Sequence, residues 1–216
     1  MRIIIIFLFL IFSFPAFTQD DGWELSEESN GIIVYTRKKQ SEKFKEIKIL
    51  TRYQTTLNAI MAAFDDPESH KEWVYKTPES YTVERIDKNT LIYYVKSDFP
   101  FPITNRDLVM KYKWSQDPET KVIFTESVGI TGKVEETGST IRVKDFLSHY
   151  TLTPKKDGWV YIEFDAKMDP AGSLPAWLVN LFVTLGPIKT MENLFEILDS
   201  GRYDNSQVEG VSELVK

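Results

Sequence analysis

The sequence predicts an α+β domain in which a curved antiparallel sheet wraps around a long C-terminal helix. Residues 81–168 carry six strand-like segments in series, separated by turn signals such as those at 87–89 and 156–158. After Pro170 the apolar residues recur at helical spacing over 174–198. A strand meander followed by an apolar helix predicts helix-on-sheet packing. The twist of such a sheet holds its centre away from the helix, and that space is either filled or hollow.

Composition limits the kinds of function that the chain can have. Of its 216 residues, 42% are hydrophobic and 27% are charged, with 26 Lys and Arg against 32 Asp and Glu. A chain of this size can bury roughly 70% of its unfolded surface, enough for a large core or a cavity. The net charge of −6 argues against a nucleic-acid partner, because phosphate binding needs clustered cations. The absence of cysteine excludes disulfides, thiolate metal sites and cysteine nucleophiles.

The first residues have the pattern of an export signal. Met1 and Arg2 precede the apolar run 3–14, and Pro15 opens a short exit with small residues. As a helix, residues 3–17 would span only about 22 Å, less than the ~30 Å hydrocarbon core of a bilayer. We therefore predict a signal peptide over residues 1–18, cleaved after Thr18, and a protein exported to the periplasm or the extracellular space. An uncleaved membrane anchor is the alternative.

The first half of the mature chain mixes helices and strands. Acidic residues within 20–29 predict a short opening helix that ends at Asn30-Gly31. Alternating patterns predict strands over 32–37 and 43–53. Thr55 or Thr56 can cap a helix that runs through Phe64, and a second short helix begins at Asp66-Pro67 and ends near Trp73.

The second half reads as the meander and the closing helix. The predicted strands cover 81–86, 90–96, 107–114, 122–128, 140–153 and 158–168. The closing helix is apolar on more than one face, which suggests that it contacts something apolar besides the sheet. Residues 202–216 are polar and lack an apolar repeat, so we expect a flexible tail after one domain that spans 19–201.

Two segments of this chain have distinctive local chemistry. Residues 99–109 read FPFPITNRDLV; Pro100 and Pro102 favour an extended loop, after which Arg106 and Asp107 can tie that loop to the sheet. Residues 169–180 read DPAGSLPAWLVN, a helix entry in which Gly172 permits a left-handed turn. Between them lies an aromatic strand whose members are Phe146, Tyr150, Leu152 and Pro154.

These segments, in this order, resemble the START domain, the helix-grip fold of lipid-transfer proteins related to the steroidogenic acute regulatory protein. The first resembles the family's P-W-P and N/D-R-D loop, with Phe101 where Trp is commoner. The second resembles D-P-G-G-x-[LI]-P-x-W-L-x-N, with Ala171 in place of a glycine. The resemblance covers residues 22–200. It implies a monomer that holds one hydrophobic ligand (a sterol, phospholipid or fatty acid), touches membranes transiently, and has no cofactor, metal or catalytic residue.

The fold then indicates which residues line a cavity between sheet and helix. Arg142 resembles an arginine that START domains place inside the pocket, and Glu126 on a nearby strand is its expected partner; surface charges are the alternative for both. The candidate ligand contacts are Phe124, Glu126, Arg142, Phe146, Tyr150, Trp177, Leu181, Phe182 and Leu185. The candidate gate loop at the cavity mouth consists of Phe99, Pro100, Phe101, Pro102, Arg106 and Asp107. A structural corner is the alternative for that loop.

Two other classes of function remain open from the sequence. The same fold hosts cyclases and hydrolases, which would need acid and base groups such as Glu126, His149 or Asp165 inside the pocket. However, His70 and His149 lie in no metal or base motif, and no G-x-S-x-G elbow is present. The third class is a non-lipid interaction module whose apolar helix docks a partner.

Overall fold

The computed structural model describes residues 22–39, 44–174 and 176–215, so the predicted signal peptide lies outside the described residues. The strands are β1 (Glu24–Ser29), β2 (Ile32–Arg37), β3 (Glu46–Gln54), β4 (Glu79–Asp87), β5 (Thr90–Ser97), β6 (Arg106–Gln116), β7 (Ile123–Gly129), β8 (Ile141–Arg142), β9 (Phe146–Pro154) and β10 (Trp159–Met168). The helices are α1 (Leu57–Phe64), a 3₁₀ turn (Pro67–Ser69), α2 (His70–Trp73) and α3 (Ala176–Asp199).

All these strands belong to one sheet with the order β1-β2-β3-β10-β9-β7-β6-β5-β4, in which every neighbouring pair is antiparallel. The short β8 adds to β6 in the parallel sense. Strands β4 to β7, β9 and β10 form the predicted meander, and the β3–β10 pair joins it to the first three strands. The predicted fold class, an antiparallel sheet with a long C-terminal helix on its concave face, is confirmed.

The predicted opening helix is wrong, because those residues form β1. Asn30 and Gly31 have φ angles of 52° and 76°, the left-handed geometry of a tight hairpin turn. That turn pairs β1 with β2, from Ser29–Ile32 back to Glu24–Thr36. Pairing with a neighbouring strand outweighed the helical preference of the acidic residues. The Asn-Gly signal at 30–31 marked a hairpin and not a helix end.

The two short helices begin and end as predicted. The side-chain oxygen of Thr56 accepts a hydrogen bond from the backbone N–H of Ala59 at 3.1 Å, which caps α1. Pro67 opens the 3₁₀ turn, and α2 ends at Trp73. The buried face of α1, which includes Leu57, Ile60 and Met61, packs into the core on the concave side of the sheet.

Helix α3 closes the concave side of the sheet. Its buried residues Ile188, Met191 and Leu194 join the same core as Ile32 and Ile49 of the first strands. It contacts β1, β2, β3 and α2. Within the part of the chain described here, no helix has both the length and the apolarity that a membrane span requires.

The tail is packed against the domain and not free, contrary to our expectation. The Glu213 carboxylate accepts hydrogen bonds from the backbone N–H groups of Leu57 and Asn58 at 3.1 and 2.8 Å, at the start of α1. Gln116 and Ser212 exchange two hydrogen bonds, and Tyr203 is buried. Single side chains that hydrogen-bond to distant elements produce no periodic pattern in a sequence. The sequence of 202–216 therefore gave no sign that this segment packs against the domain.

Candidate functional site

A cavity of about 280 Å³ lies between the concave face of the sheet and the three helices. Phe64, Trp73 and Met191 represent α1, α2 and α3 in its wall. The lining residues are Ile49, Phe64, His70, Trp73, Val74, Tyr75, Tyr93, Val95, Met110, Tyr112, Ser127, Phe146, Ser148, Tyr150, Phe164, Met168, Gly186, Pro187, Thr190 and Met191. The space that the sequence left undecided is therefore partly hollow.

Strand alternation explains which side chains reach the cavity. On β6, Met110 and Tyr112 line the cavity. The alternate residues Lys111 and Lys113 are exposed on the opposite face. On α3, Gly186 and Pro187 lie where the helix passes the cavity. Proline has no N–H, so the helix lacks one backbone hydrogen bond at this point.

A second, smaller cavity of about 150 Å³ adjoins the first. The two share Phe164, Met168 and Pro187. The smaller cavity is bordered by Phe99 of the predicted gate loop and by Pro170 and Leu174 of the helix entry. Lys45 and Lys167 also border the smaller cavity. Among the described residues, no cationic side chain lines the larger cavity.

Arg106 fastens the two sequence motifs to each other. Its guanidinium is buried and donates hydrogen bonds to the backbone carbonyls of Pro170 at 3.2 Å and Ala171 at 3.1 Å. Ala171 has a φ of 55°, in the left-handed region where the family motif has glycine. In the loop itself, Phe99 borders the smaller cavity, whereas Phe101 is 97% exposed. The loop is thus tied down at its sheet end, and a role as a gate stays a prediction.

Arg142 does not face the cavity, contrary to our expectation. Its guanidinium forms two hydrogen bonds of 2.9 Å with the Asp107 carboxylate on the outer side of the sheet. The two side chains are 1% and 4% exposed. Burial raises the pKa of Asp107, but the hydrogen bonds from Arg142, Thr140 and Tyr94 and the positive charge of Arg142 together hold that pKa below its usual value. The partner of Arg142 is therefore Asp107 and not Glu126.

The error has a physical cause in the strand predicted over 140–153. In a continuous strand Arg142, Phe146 and Tyr150 would share one face. The strand is interrupted between β8 and β9, and Val143 there donates its backbone N–H to the Asp107 carbonyl. The interruption breaks the alternation, so Arg142 faces outward while Phe146 and Tyr150 face the cavity.

Phe124 and Glu126 also lie on the outer face, one residue out of register with the prediction. Phe124 is 49% exposed. Glu126 lies opposite His149, with 3.8 Å between its carboxylate and Nε2, and the Asp165 carboxylate lies 2.9 Å from Nδ1 of the same ring. The residues of β7 that face inward are Ile123, Thr125 and Ser127. The face assigned to this strand from the sequence was therefore the wrong one.

The helix candidates are only partly placed. The side chains of Trp177, Leu181 and Phe182 lie outside the described residues. Leu185 is half-buried and is not among the described residues that line either cavity. The large phenol groups of Tyr93 and Tyr112 were missed, although both sit at the inward-facing positions that alternation gives their strands.

His70 is a buried lining residue that sequence reasoning did not select. It is 5% exposed, and its ring meets Trp73 and Tyr93 edge-on. Burial lowers its pKa to about 4, although hydrogen bonds to the backbone carbonyls of Phe64 and Ala63 act in the opposite direction. Those carbonyls end α1 and have no partner within the helix. His70 is therefore neutral at physiological pH.

Comparisons with known proteins agree with this architecture. The START domain family profile matches residues 16–202. The phosphatidylcholine transfer protein of Rattus norvegicus is 28% identical over 174 residues, which cover 77% of this chain and 78% of that protein. An uncharacterized protein of Pseudomonas aeruginosa is 28% identical, over 81% of this chain and 85% of its own.

Solved structures give the same result at the level of the fold. The STAR-related lipid transfer protein of Xanthomonas axonopodis superimposes with a TM-score of 0.76 at 23% identity, covering 83% of this chain and 99% of that one. Human STARD10 superimposes with a TM-score of 0.71 at 21% identity, over 81% of this chain and 72% of its own. The resemblance seen in the two sequence motifs is confirmed.

Proposed function

Because the chain belongs to the START domain family, we propose that it binds one lipid molecule in the cavity under α3 and carries it between membranes. The observation that carries the proposal is the cavity itself, whose described lining is aromatic and aliphatic apart from a few hydroxyl groups and His70. Relatives whose names describe phosphatidylcholine transfer and lipid transfer support this assignment.

The energetics favour an apolar ligand in such a space. Each buried methylene contributes about 0.8 kcal/mol, so an acyl chain of about 16 carbons would contribute on the order of 10 kcal/mol. This exceeds an ordering and association cost of several kcal/mol. One or two polar contacts are then sufficient to orient the ligand.

The proposed site of action rests on the N-terminal sequence. The pattern of residues 1–18 supports export, and we propose that the mature protein is a monomer that works in the periplasm or outside the cell and touches membranes transiently. Such a carrier would shield a lipid from water between two membranes. Detection of the mature N-terminus at Gln19 in the exported fraction tests this part of the proposal.

Catalysis by a cyclase or hydrolase type of site is the second candidate, and the cavity wall does not favour it. The described lining residues include one imidazole and no carboxylate. The acid and base candidates Glu126, His149 and Asp165 lie together on the outer face of the sheet. Acid–base chemistry inside this cavity would have to rely on His70 and hydroxyl groups alone.

The test is native mass spectrometry of the protein purified from its own exported compartment, followed by extraction of bound molecules. We expect one lipid per chain. Ser148→Phe fills the cavity and should abolish the bound species, while Thr151→Phe on the opposite face of the same strand should retain it. A protein that is empty and takes up none of the lipids offered would contradict the proposal.

A further inference from the structure

The cavity wall is uncharged throughout its described part. None of its described lining residues is Asp, Glu, Lys or Arg. Its polar side chains are hydroxyl groups and the neutral imidazole of His70. Burial raises the pKa of Tyr93 to about 12 and raises those of Tyr112 and Tyr150 well above their usual value, so all three phenols stay neutral. A charged lipid head placed among these groups would lose its hydration and gain no opposite charge.

The described cationic side chains that a phospholipid could use lie outside the larger cavity. Arg142 is paired with Asp107 on the outer side of the sheet. Arg106 donates hydrogen bonds to backbone carbonyls at the junction of the two loops. Lys45 and Lys167 border the smaller cavity near the surface. The phosphate of a phospholipid could meet a cation at the smaller cavity. Only the acyl chains of that phospholipid would then occupy the larger cavity.

One polar atom of the wall has an unused hydrogen-bonding capacity. Nε2 of His70 is buried and has no hydrogen-bond partner among the described residues. The backbone carbonyls of Ala63 and Phe64 can only accept hydrogen bonds from the ring, and Nε2 makes none, so we assign the proton of the neutral ring to Nδ1. Nε2 is then a bare acceptor, and it can be satisfied only by a group that donates.

Two of the neighbouring hydroxyl groups of the wall have partners within the protein. The Ser127 hydroxyl hydrogen-bonds to that of Tyr93. Thr190 accepts from the backbone N–H of Tyr75 at 3.1 Å. Of the described buried side-chain polar atoms without a partner, Nε2 of His70 is the one that belongs to a lining residue, and an unsatisfied buried acceptor is costly.

We propose that the ligand is an uncharged lipid whose head carries a hydroxyl or another hydrogen-bond donor, and that Nε2 of His70 accepts the hydrogen bond from that donor. This inference rests on the proposed function and specifies its ligand class. It separates this chain from relatives named for phosphatidylcholine transfer, since sequence similarity at 28% does not transfer a head-group preference.

Three ligands of equal chain length test the inference on the delipidated full-length mature protein. The ligands are hexadecanol, hexadecyl methyl ether and hexadecanoate, and displacement of a fluorescent lipid at pH 8 gives their affinities. We expect hexadecanol to bind about fivefold more tightly than the ether, the value of one hydrogen bond, and at least about tenfold more tightly than hexadecanoate. Equal or tighter binding of hexadecanoate would overturn the proposal.

The two histidines provide a matched pair of variants. His70→Phe should bring the affinity for hexadecanol down to that for the ether and leave ether binding nearly unchanged. His149→Phe, on the outer face, should keep the fivefold preference. If His70→Phe does not fold, the ligand series on the unmodified protein still decides. If the protein bound none of the three ligands and no phosphatidylcholine from vesicles, the lipid-carrier function itself would be refuted. If it bound phosphatidylcholine tightly and none of the three, only the proposal of a neutral head group would be refuted.

Discussion

The two faces of the sheet differ in the charge of the side chains that the same strands place on them. On the inner face, the phenols of Tyr93 and Tyr150 border a cavity across from His70 of α2, and all three groups stay neutral. On the outer face, His149 lies between Glu126 and Asp165. The carboxylates beside His149 thus lie on the side where water solvates them, while the inner side can receive an apolar molecule.

The largest expected effect comes from breaking the buried ion pair of the outer face. Asp107→Ala leaves the Arg142 guanidinium buried without its partner, and we expect a loss of about 3–5 kcal/mol in the free energy of unfolding. Lipid affinity should change less than about twofold, because neither side chain lines the cavity. Urea unfolding and lipid displacement measure the two effects.

An exposed pair on the same side serves as the control. Glu84 and Lys133 form a surface ion pair whose side chains are 46% and 45% exposed. Glu84→Ala should cost less than about 1 kcal/mol. If Asp107→Ala were no more harmful than this control, the ion pair would not be the buried structural element that the distances indicate.

The second effect is a pH dependence that belongs to the inner histidine. The pKa of His70 falls from 6.5 to about 4 on folding, so below pH 6.5 the unfolded chain binds a proton that the folded protein does not. The free energy of unfolding therefore has its full value from this group above pH 6.5. It decreases as the pH falls towards 4, by about 3 kcal/mol in total. His70→Phe should flatten this part of the stability profile. A profile unchanged from that of the unmodified protein would place the titration elsewhere.

The third effect concerns the tail that holds the inner helical layer. Glu213→Ala removes the carboxylate from the N-terminal N–H groups of α1 and should lower the free energy of unfolding by about 1 kcal/mol. Glu209→Ala, whose side chain is 80% exposed beside Lys88, is the control and should have a smaller effect. Thermal unfolding followed by circular dichroism distinguishes them, and equal melting temperatures would mean that the tail does not support α1.

The smallest effect is expected for the aromatic residue that the sequence misplaced. Phe124→Ala should change stability by less than about 1 kcal/mol, because the ring is 49% exposed on the outer face. Phe146→Ala, inside the cavity, should weaken binding of hexadecanol clearly, since ring contacts with the ligand are lost. A larger loss of lipid affinity in the Phe124 variant would reverse the assignment of the two faces.

Sequence patterns predicted the elements that depend on local chemistry. The cap at Thr56, the helical turn that begins at Pro67 and the left-handed turn at Gly172 all follow from backbone and side-chain preferences. The two family motifs predicted the fold, and the buried Arg106 explains why they occur together, because its side chain joins both segments.

The wall of the cavity was harder to predict because it depends on register. The strand is interrupted after β8, and Arg142 therefore faces outward. On β7, the predicted alternation was wrong by one residue, so Phe124 and Glu126 lie on the outer face. His70 was invisible for another reason: its role depends on the carbonyls that end α1 and on the rings of Trp73 and Tyr93, which only the folded chain brings together.

The most direct test of the central claim is photo-crosslinking with a hexadecanol analogue that carries a diazirine in its chain, followed by residue-level mapping of the adducts. We predict one adduct per chain, on inner residues such as Tyr150 and Met191. Adducts on outer residues such as Phe124 or His149, with none in the cavity, would contradict it.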